Sequence, residues 1–453
     1  KRDLQKDFKD FEFNIQTALP YYELDEIEEE ILNNKHIDIL ISTPEKLEAL
    51  VRKEHPSIKN TRLVVMDEAH NIGDFSRGSK YELVLAIIKQ KIKEANFLLL
   101  SPFINNASEI AEWLGDTEKN TSIVTIDWRP TKQYIGCNII RKNRTESLLE
   151  FYKSARNLDD KNIKILLRSS PLDMKNELNE DKVNSTVKLC VILNDIITQD
   201  GNILVLCGGI EITRNLARKI TNYYVSKGEL IDLSTDTDIS NAINIIKLET
   251  DENDPLLECL KYGVCFHNAG LSSFVKEIIE DLIQKNKIKI IFATTTLAQG
   301  MNFPINTVIF DTIKFRGKDN RYLTNAEFWN IAGRAGRTFI DKEGYIIVSY
   351  TNSITYTREK TKKYIKRDIE QIISSLKSFF TKDSEISLDY NFLTEQKNQP
   401  LLNLIQYINH ILKIGYDYNI NPGDLVRIRS ILNDSFLYYN LHKSEGYITA
   451  QEK

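Results

Sequence analysis

The chain of 453 residues is long enough for roughly two to four domains, and its apolar fraction of 42% is sufficient for hydrophobic cores. It contains no apolar run of the ~18–20 residues that a membrane span needs, no Cys-x-x-Cys pair and no apolar signal-peptide core. The net charge of −4 excludes a globally basic nucleic-acid binder, and the five dispersed cysteines indicate a reducing, cytoplasmic setting rather than a disulfide framework.

The first part of the chain alternates apolar strands with helices, which is the pattern of a parallel α/β sheet. Buried strands are predicted at 37–41, 63–66 and 97–101. After the first of them, Thr43 is predicted as the N-cap of a helix and Pro44 as its first residue. The exposed amides of such a helix start can bind a phosphate, although an ordinary helix cap explains these two residues equally well.

Two adjacent acids, Asp67 and Glu68, follow the second strand directly. Ligands of open α/β sheets lie just beyond the carboxyl ends of the strands. One acid there can hold Mg²⁺ and the other can orient or deprotonate an attacking water. For an isolated Asp-Glu pair, an acidic turn in solvent is the more frequent explanation, so the interpretation depends on the other motifs.

The middle of the chain is predicted as a connector, with a strand over 133–140 and a helix over 146–158. A second alternating series follows, and from about residue 352 the chain becomes helical. The strands of the second series are predicted at 202–207, 264–266, 288–293, 307–310 and 344–349, and the late helices at 359–380, 401–414 and 422–441.

Several motifs occur in a fixed order along these two series. They are Ser-Thr-Pro-Glu-Lys-Leu at 42–47, Asp-Glu-Ala-His at 67–70, His-Asn-Ala-Gly-Leu at 267–271, Ala-Thr-Thr-Thr-Leu-Ala-Gln-Gly-Met-Asn-Phe-Pro at 293–304 and Gly-Arg-Ala-Gly-Arg at 333–337. Over about residues 37–350 the chain thereby resembles the superfamily 2 DExH-box helicases. Within them it is most similar to the superkiller-like branch, which includes the archaeal repair helicases.

The resemblance implies an α/β fold with two RecA-like parallel-sheet lobes, the first incomplete, and a mostly helical C-terminal region. The predicted boundaries are a partial first lobe over 1–128, a connector or accessory element over 129–195, a second lobe over 196–351 and the helical region over 352–453. An incomplete first lobe would have an incomplete sheet with an exposed apolar edge.

The resemblance also assigns roles in the use of ATP and Mg²⁺. Asp67 would bind the metal, Glu68 would act on the attacking water and His70 would lie near the nucleotide. In the second lobe, guanidinium groups would neutralise charge on the γ-phosphate, as arginine fingers do. The residues implied for nucleotide contact there are Gly300, Asn302, Asn330, Arg334 and Arg337, and those implied for sugar–phosphate contact are Thr43, Thr294 and Thr296.

Residues 311–323 are predicted to form a β-hairpin with its turn at 317–320. In the resembling branch, the corresponding hairpin is implicated in parting a duplex. Lys314 and Arg316 would contact phosphates, and Phe315 and Tyr322 could stack on bases. A surface hairpin with a solvated basic face is the alternative.

Three features depart from the family pattern. No Gly-x-x-x-x-Gly-Lys-Ser/Thr sequence occurs, so the phosphate-binding P-loop is missing and the chain is expected to be a fragment that is inactive alone. The family's Ser-Ala-Thr is replaced by Ser101, Pro102 and Phe103, which removes a hydroxyl from the link between hydrolysis and strand separation. Asn330 stands where the family has Gln, one methylene longer.

Two functions remain open. The first is an ATP-dependent helicase or translocase, in which hydrolysis between the lobes drives movement along a single strand, 3′ to 5′ by resemblance. The second is a nucleic-acid-binding scaffold subunit of a bacterial repair or defence complex, without ATP turnover. The intact Asp67, Glu68, Arg334 and Arg337 favour the first, and the missing P-loop and Phe103 favour the second. Partners would be single-stranded or partly duplex DNA or RNA, with no membrane and possibly a protein subunit.

Overall fold

The computed structural model divides the chain into two compact units. The first comprises residues 1–125 and 370–453, and the second comprises residues 126–369. The structure describes residues 2–18, 36–52, 55–75, 77–101, 104–115, 122–124, 131–140, 146–152, 170–171, 184–197, 201–294, 305–314, 321–336, 341, 343–349, 353–365, 371–380, 395, 398–412 and 422–443.

In the part of the chain that the structure describes, the first unit contains two short parallel strand pairs surrounded by helices. Strand β1 pairs with β2, and β3 pairs with β4. The strands are β1 Ile15–Ala18, β2 Ile39–Ser42, β3 Leu63–Met66 and β4 Asn96–Leu99. The helices are Arg2–Asp7, Pro44–Arg52, Gly78–Lys91, Ala107–Leu114, Gln399–Leu412, Pro422–Asn433 and Phe436–Lys443, with single 3₁₀ turns at Pro56–Ile58, Ala69–Gly73 and Lys377–Phe380.

The core of the first unit is built around the helix Gly78–Lys91, whose side chains from Leu83 to Ile88 are buried. Val64 and Phe97 of the β3–β4 pair pack against this core, and so do side chains of the C-terminal helices, such as Leu404 and Ile431. A helix that is apolar nearly all round has to be covered on every side, which explains why elements from both ends of the unit meet on it.

The opposite face of the β3–β4 pair is open. Leu63, Val65 and Leu98 are 53%, 54% and 45% exposed. Parallel sheets are normally covered on both faces. These three side chains therefore form an exposed apolar face on this pair, whereas the prediction for this lobe was an exposed apolar edge.

A buried carboxylate joins the C-terminal segments to the core helix. Glu82 is fully buried and accepts hydrogen bonds of 2.6 Å from the hydroxyl of Ser374 and from the backbone N–H of Leu437. Burial raises the pKa of Glu82 to about 7, with these hydrogen bonds opposing the rise. The same region is tied by Trp113 Nε1, which donates to the carbonyl of Asp434 at 2.7 Å.

Within its described residues, the second unit contains an eight-stranded sheet with helices packed on it. Its order is β7-β6-β5-β12-β11-β8-β10-β9, parallel from β5 to β9, with β6 and β7 antiparallel at one edge. The strands are β5 Lys132–Ile140, β6 Glu146–Tyr152, β7 Ser170–Pro171, β8 Ile203–Cys207, β9 Val264–His267, β10 Ile290–Thr294, β11 Thr307–Phe310 and β12 Glu343–Val348. The helices are Ser185–Ile196, Ile210–Ser226, Thr237–Ile246, Pro255–Leu260, Ser273–Gln284, Asn325–Ala332 and Ile354–Ile365.

Strands β8 to β11 are buried along their whole length, as expected for the centre of a parallel sheet. The α/β fold with RecA-like lobes is confirmed. The helix predicted over 146–158 is wrong in its described part, because Glu146–Tyr152 forms an antiparallel strand beside β5. Hydrogen bonding to β5 outweighs the helix propensity of these residues. Glu150 in this strand forms an ion pair with the guanidinium of Arg358 at 2.7 Å.

Two of the differences between the compact units and the predicted boundaries concern the connector and the late helices. Strands β5 and β6, which fall in the predicted connector, extend the sheet of the second unit. The late helices from Gln399 onwards, predicted as a separate region, share the core of the first unit. Both differences arise from contacts between residues far apart in the sequence.

Among the described residues, no helix is both long and apolar enough to cross a membrane. All five cysteines are buried free thiols. Burial raises the pKa of Cys137 and that of Cys259 to about 11, so neither is a reactive thiolate near neutral pH.

Candidate functional site

The Asp-Glu-Ala-His sequence lies at the carboxyl end of β3, as predicted. The β3–β4 pairing continues past the strands, because the N–H of Leu100 donates to Met66 O and the N–H of Ala69 donates to Leu100 O, both at 2.9 Å. This extension brings Ser101, which follows β4, beside His70, which lies in the turn after β3. Backbone pairing therefore sets the position of both side chains.

The two acids adopt different backbone conformations. Glu68 has φ 53° and ψ 46°, a left-handed conformation that non-glycine residues rarely adopt. Its N–H donates to Oδ1 of Asp67 at 2.9 Å, which links the two residues. Such strained residues persist where the surrounding structure holds them, and they cluster at functional sites.

His70 connects the acidic pair with the neighbouring strand. Its Nδ1 lies 3.3 Å from Oε2 of Glu68 and 3.4 Å from the hydroxyl of Ser101. Burial lowers the pKa of His70, with Asp67 and Asp74 partly opposing. The imidazole is therefore neutral near pH 7, with one N–H donor and one acceptor nitrogen for its neighbours.

The residues at this strand end fit Mg²⁺ held together with a substrate. Within the part of the chain that the structure describes, no group of three or more His, Cys, Asp or Glu could hold a metal by itself. Mg²⁺ usually keeps several waters and binds through one or two carboxylates plus substrate phosphates. Asp67, a single carboxylate at a strand end, matches that mode rather than an all-protein cage.

Thr43 caps the helix Pro44–Arg52, as predicted. Its hydroxyl accepts from the N–H of Lys46 at 3.4 Å, and its carbonyl accepts from the N–H of Leu47 at 2.9 Å. The first turn carries Glu45, which is paired with Arg77 at 2.9 Å. Thr43 is half-buried. Its proposed contact with nucleic acid stays a prediction.

In the second unit, Arg334 follows the helix Asn325–Ala332. This helix begins with a capping box between Thr324 and Glu327. After it, the N–H of Arg334 donates to Ile331 O at 3.1 Å, so the chain continues turning. Arg334 is half-buried, as is Asn330 in the last turn of the helix. The helix end therefore presents two of the predicted nucleotide-contacting residues together.

The loop that carries Arg334 is tightly seated on the sheet. Gly336 has φ +84°, and its N–H donates to Ile305 O at 2.8 Å. A Cβ on Gly336 would lie 2.3 Å from Cγ2 of Thr131. Gln133, which no sequence motif indicated, donates through its amide to the carbonyls of this loop. Its position in an ordinary strand pattern contains no indication of that contact.

Two further motifs end neighbouring strands of the second sheet. Thr294 ends β10 and is 8% exposed. His267 ends β9, is buried and lies 3.1 Å from Glu280 through Nε2. Burial lowers the pKa of His267, and Glu280 opposes this effect. The amide of Asn268 donates to the hydroxyl of Thr213 at 2.8 Å. The His-Asn-Ala-Gly turn is thus packed into its own unit.

The base of the predicted hairpin is formed. Lys314 and Tyr322 make an antiparallel bridge, and the N–H of Leu323 donates to Ile313 O at 2.9 Å. The ammonium of Lys360 lies 4.0 Å from the centroid of the Tyr322 ring, and that of Lys314 lies 5.3 Å from it. Two cations are therefore concentrated beside one aromatic ring at the hairpin base.

Several predicted residues lie outside the described part of the chain. They are Gly300, Asn302, Thr296, Phe315, Arg316 and Arg337, together with Pro102 and Phe103 and the hairpin turn at 317–320. Their assigned roles stay predictions.

Comparison with known families agrees with this arrangement. Residues 1–109 match the family described as DEAD/DEAH box helicase, and residues 229–339 match the family described as helicase conserved C-terminal domain. These matches support a superfamily 2 helicase related to the archaeal repair helicases, so the predicted resemblance is confirmed. Its two matched domains are those of a nucleic-acid helicase motor.

Three individual proteins are similar to the chain over most of its length. It is 29% identical over 76% of its length to the ATP-dependent DNA helicase Hel308 of Thermoplasma acidophilum, and 29% identical over 82% to that of Pyrococcus horikoshii. It is 28% identical over 80% of its length to the Hachiman protein HamB of Bacillus cereus. The chain spans 43%, 45% and 33% of these relatives, less than half of each.

Proposed function

We propose that this chain forms most of the motor of an ATP-dependent nucleic-acid helicase or translocase. The observation that carries the proposal is the arrangement of Glu68, His70 and Ser101 at the carboxyl ends of two paired strands. This is the position where open α/β sheets bind ligands. The left-handed Glu68 and the adjacent Asp67 give this strand end the two carboxylates that nucleotide hydrolysis requires.

Each described residue has a distinct role in this proposal. Asp67 holds Mg²⁺, which when bound neutralises charge on the nucleotide phosphates. Glu68 accepts a proton from the attacking water, and His70 orients the Glu68 carboxylate through Nδ1. Arg334, together with Arg337, stabilises the negative charge that develops on the γ-phosphate. Asn330 contacts the nucleotide from the adjacent helix turn.

The nucleic-acid contacts in this proposal are made to the backbone. Thr43, Thr294 and Thr296 contact sugar–phosphate oxygens of a single strand, and Lys314 and Arg316 contact phosphates at the hairpin. Contacts of this kind position a strand without reading its sequence. The two archaeal relatives are named as DNA helicases, so DNA is the substrate to test first.

The test uses the full-length protein with Glu68→Gln. The amide keeps the size of the side chain but cannot accept the proton, so we expect ATP binding to be retained and nucleic-acid-stimulated hydrolysis to be lost. Glu94→Gln is the matched control, because Glu94 is a surface carboxylate of the same unit with its side chain 70% exposed. Comparable ATPase rates in the Glu68 variant and the wild type would overturn the proposal.

A second candidate is a nucleic-acid-binding subunit that works with a partner protein and does not turn over ATP. It is favoured by Phe103 in place of the family's hydroxyl residue and by the similarity to Hachiman protein HamB. The wild-type ATPase measurement separates the two functions. Nucleic-acid binding without any stimulated hydrolysis would support this second function.

A further inference from the structure

The side chain of Gln133 reaches from β5 to the loop that carries Arg334. Its Nε2 donates to the carbonyl of Ala335 at 2.7 Å and lies 3.3 Å from the carbonyl of Gly333. These two carbonyls lie on either side of Arg334 in the chain. The amide therefore holds the backbone both before and after the arginine.

The peptide that joins Ala335 to Gly336 is held from two directions. Its carbonyl accepts from Gln133, and its N–H donates to Ile305 O at 2.8 Å. Ile305 and Ala335 also form a parallel bridge. With both polar groups of one peptide bonded to different elements, rotation of that peptide breaks at least one hydrogen bond.

Close packing beneath the loop leaves it no room to move toward the sheet. Gln133 is opposite Gly344 in the register of β5 and β12. A Cβ on Gly344 would lie 2.6 Å from the carbonyl carbon and oxygen of Ala335. The absent side chain at Gly344 lets the loop rest on the strand, at the place where Gln133 can reach it.

The contact requires the chemistry of glutamine. An amide nitrogen has two N–H groups and can serve two carbonyls at once. A glutamate at position 133 would present only acceptors to two acceptors, and a leucine would leave both carbonyls without this donor. β5 is hydrogen-bonded to neighbours on both sides, so the donor projects from a rigid element.

We propose that Gln133 is a positioning residue for Arg334, holding the loop so that the guanidinium is placed for the γ-phosphate of ATP. The proposal rests on the function proposed above. An arginine that stabilises developing charge must be placed to within a fraction of an ångström, and misplacement by 1 Å can cost about 100-fold in rate. Gln133 therefore acts on turnover through Arg334 and not by contact with the nucleotide.

The first experiment measures stimulated ATP hydrolysis in full-length Gln133→Leu and Gln133→Glu. We expect kcat to fall by about 10- to 100-fold, while KM for ATP and affinity for single-stranded DNA change by less than about threefold. Lys132→Gln is the matched control, because it alters the adjacent, exposed residue of the same strand. Unchanged kcat in both Gln133 variants would overturn the proposal.

A double-mutant cycle shows whether the effect passes through Arg334. In an Arg334→Ala background, Gln133→Leu should cause no further loss of kcat. If instead the two losses multiply, Gln133 acts by another route and the proposal is wrong.

A measurement that does not depend on ATP hydrolysis tests the role of Gln133 independently of the proposed function. Hydrogen–deuterium exchange at residues 333–336 should be at least about tenfold faster in Gln133→Leu than in the wild type or Lys132→Gln. If the wild type shows no stimulated ATPase, the proposed function fails, and exchange still decides whether Gln133 holds the loop. Unchanged exchange there would overturn the positioning role.

Discussion

The hydroxyl of Ser101 lies 3.4 Å from Nδ1 of His70, across the ends of two paired parallel strands. The same nitrogen lies 3.3 Å from Glu68. Ser101 begins the Ser-Pro-Phe sequence that stands where the family has Ser-Ala-Thr. The second and third residues differ from the family pattern, and Ser101 does not. The contact with His70 therefore involves the one residue of that sequence that still matches.

We predict that Ser101→Ala reduces nucleic-acid-stimulated ATP hydrolysis in the full-length protein by about 2- to 10-fold, the equivalent of ~0.5–1.5 kcal/mol for one hydrogen bond. The reason is that His70 loses one of the two groups that orient it. Steady-state ATPase assays measure the effect, and Ser273→Ala, at an exposed helix start, is the control. An equal loss caused by Ser101→Ala in a His70→Ala background would show that the serine does not act through His70.

The buried Glu82 should make the stability of the first unit depend on pH. Its pKa is about 7 in the folded chain against an ordinary value of 4.5, so the folded state holds the proton more tightly than the unfolded state. The contribution of Glu82 to stability is then greatest below pH 4.5 and falls as pH rises to 7, by about 3 kcal/mol in total. Glu82→Gln should remove this dependence.

Denaturant unfolding of the wild type and Glu82→Gln between pH 5 and pH 8 measures that prediction. Gln keeps an acceptor oxygen and can still pair with the Ser374 hydroxyl. Glu94→Gln, at an exposed site, should leave the pH dependence as it is in the wild type. Parallel pH profiles for the wild type and the Glu82 variant would contradict the prediction.

Replacing only Arg358 in its ion pair with Glu150 should lower the stability of the chain strongly. Glu150 is fully buried, and the guanidinium contacts both of its oxygens, at 2.7 Å and 3.2 Å. We predict that Arg358→Met lowers the free energy of unfolding by about 3–5 kcal/mol, because it leaves a buried carboxylate without its cation. Thermal or denaturant unfolding of the chain measures it.

Two controls define the origin of that loss. Adding Glu150→Gln to Arg358→Met should recover much of the stability, because the uncompensated charge is removed. Lys261→Met breaks the exposed pair with Glu258 and should cost less than about 1 kcal/mol. A double variant no more stable than Arg358→Met would point to lost packing instead of a buried charge.

The hairpin at 311–323 should act on strand separation and not on hydrolysis. Its base is held by the Lys314–Tyr322 bridge, and the adjacent Arg321 is paired with Glu327 at 2.6 Å. Removal of residues 317–320 should therefore leave the base in place. We predict a loss of duplex unwinding of at least about tenfold, with single-strand-stimulated ATPase changed by less than about threefold.

Strand-displacement and ATPase assays on the full-length protein test the hairpin prediction. Lys318→Gln, which changes one charge but keeps the turn length, is the control. Unwinding at the wild-type rate after the deletion would leave the hairpin with no part in strand separation, and parallel loss of both activities would show a damaged motor.

Local features of the sequence were sufficient for the motifs and for most of the strands. The apolar runs before Asp67 and around 203–206 both predicted strands, and both strands are present. The predicted burial is confirmed for 203–206 and wrong for 63–66, where Leu63 and Val65 are exposed. The capping of Pro44–Arg52 by Thr43 was equally predictable, since a hydroxyl beside a helix start meets its unpaired amides within the same turn. The order of the motifs indicated the resemblance to helicases.

Only the tertiary structure decided how distant segments meet. Glu146–Tyr152 contains good helix formers but became a strand, because β5 offered it an edge and Arg358 neutralised its buried Glu150. From the sequence, Glu82 resembles a surface residue of a helix. In the structure it is covered by segments some 290 and 355 positions later in the chain. Gln133 meets a loop about 200 positions away. Such contacts depend on which elements become neighbours in space, and local propensity or periodicity does not predict those neighbours.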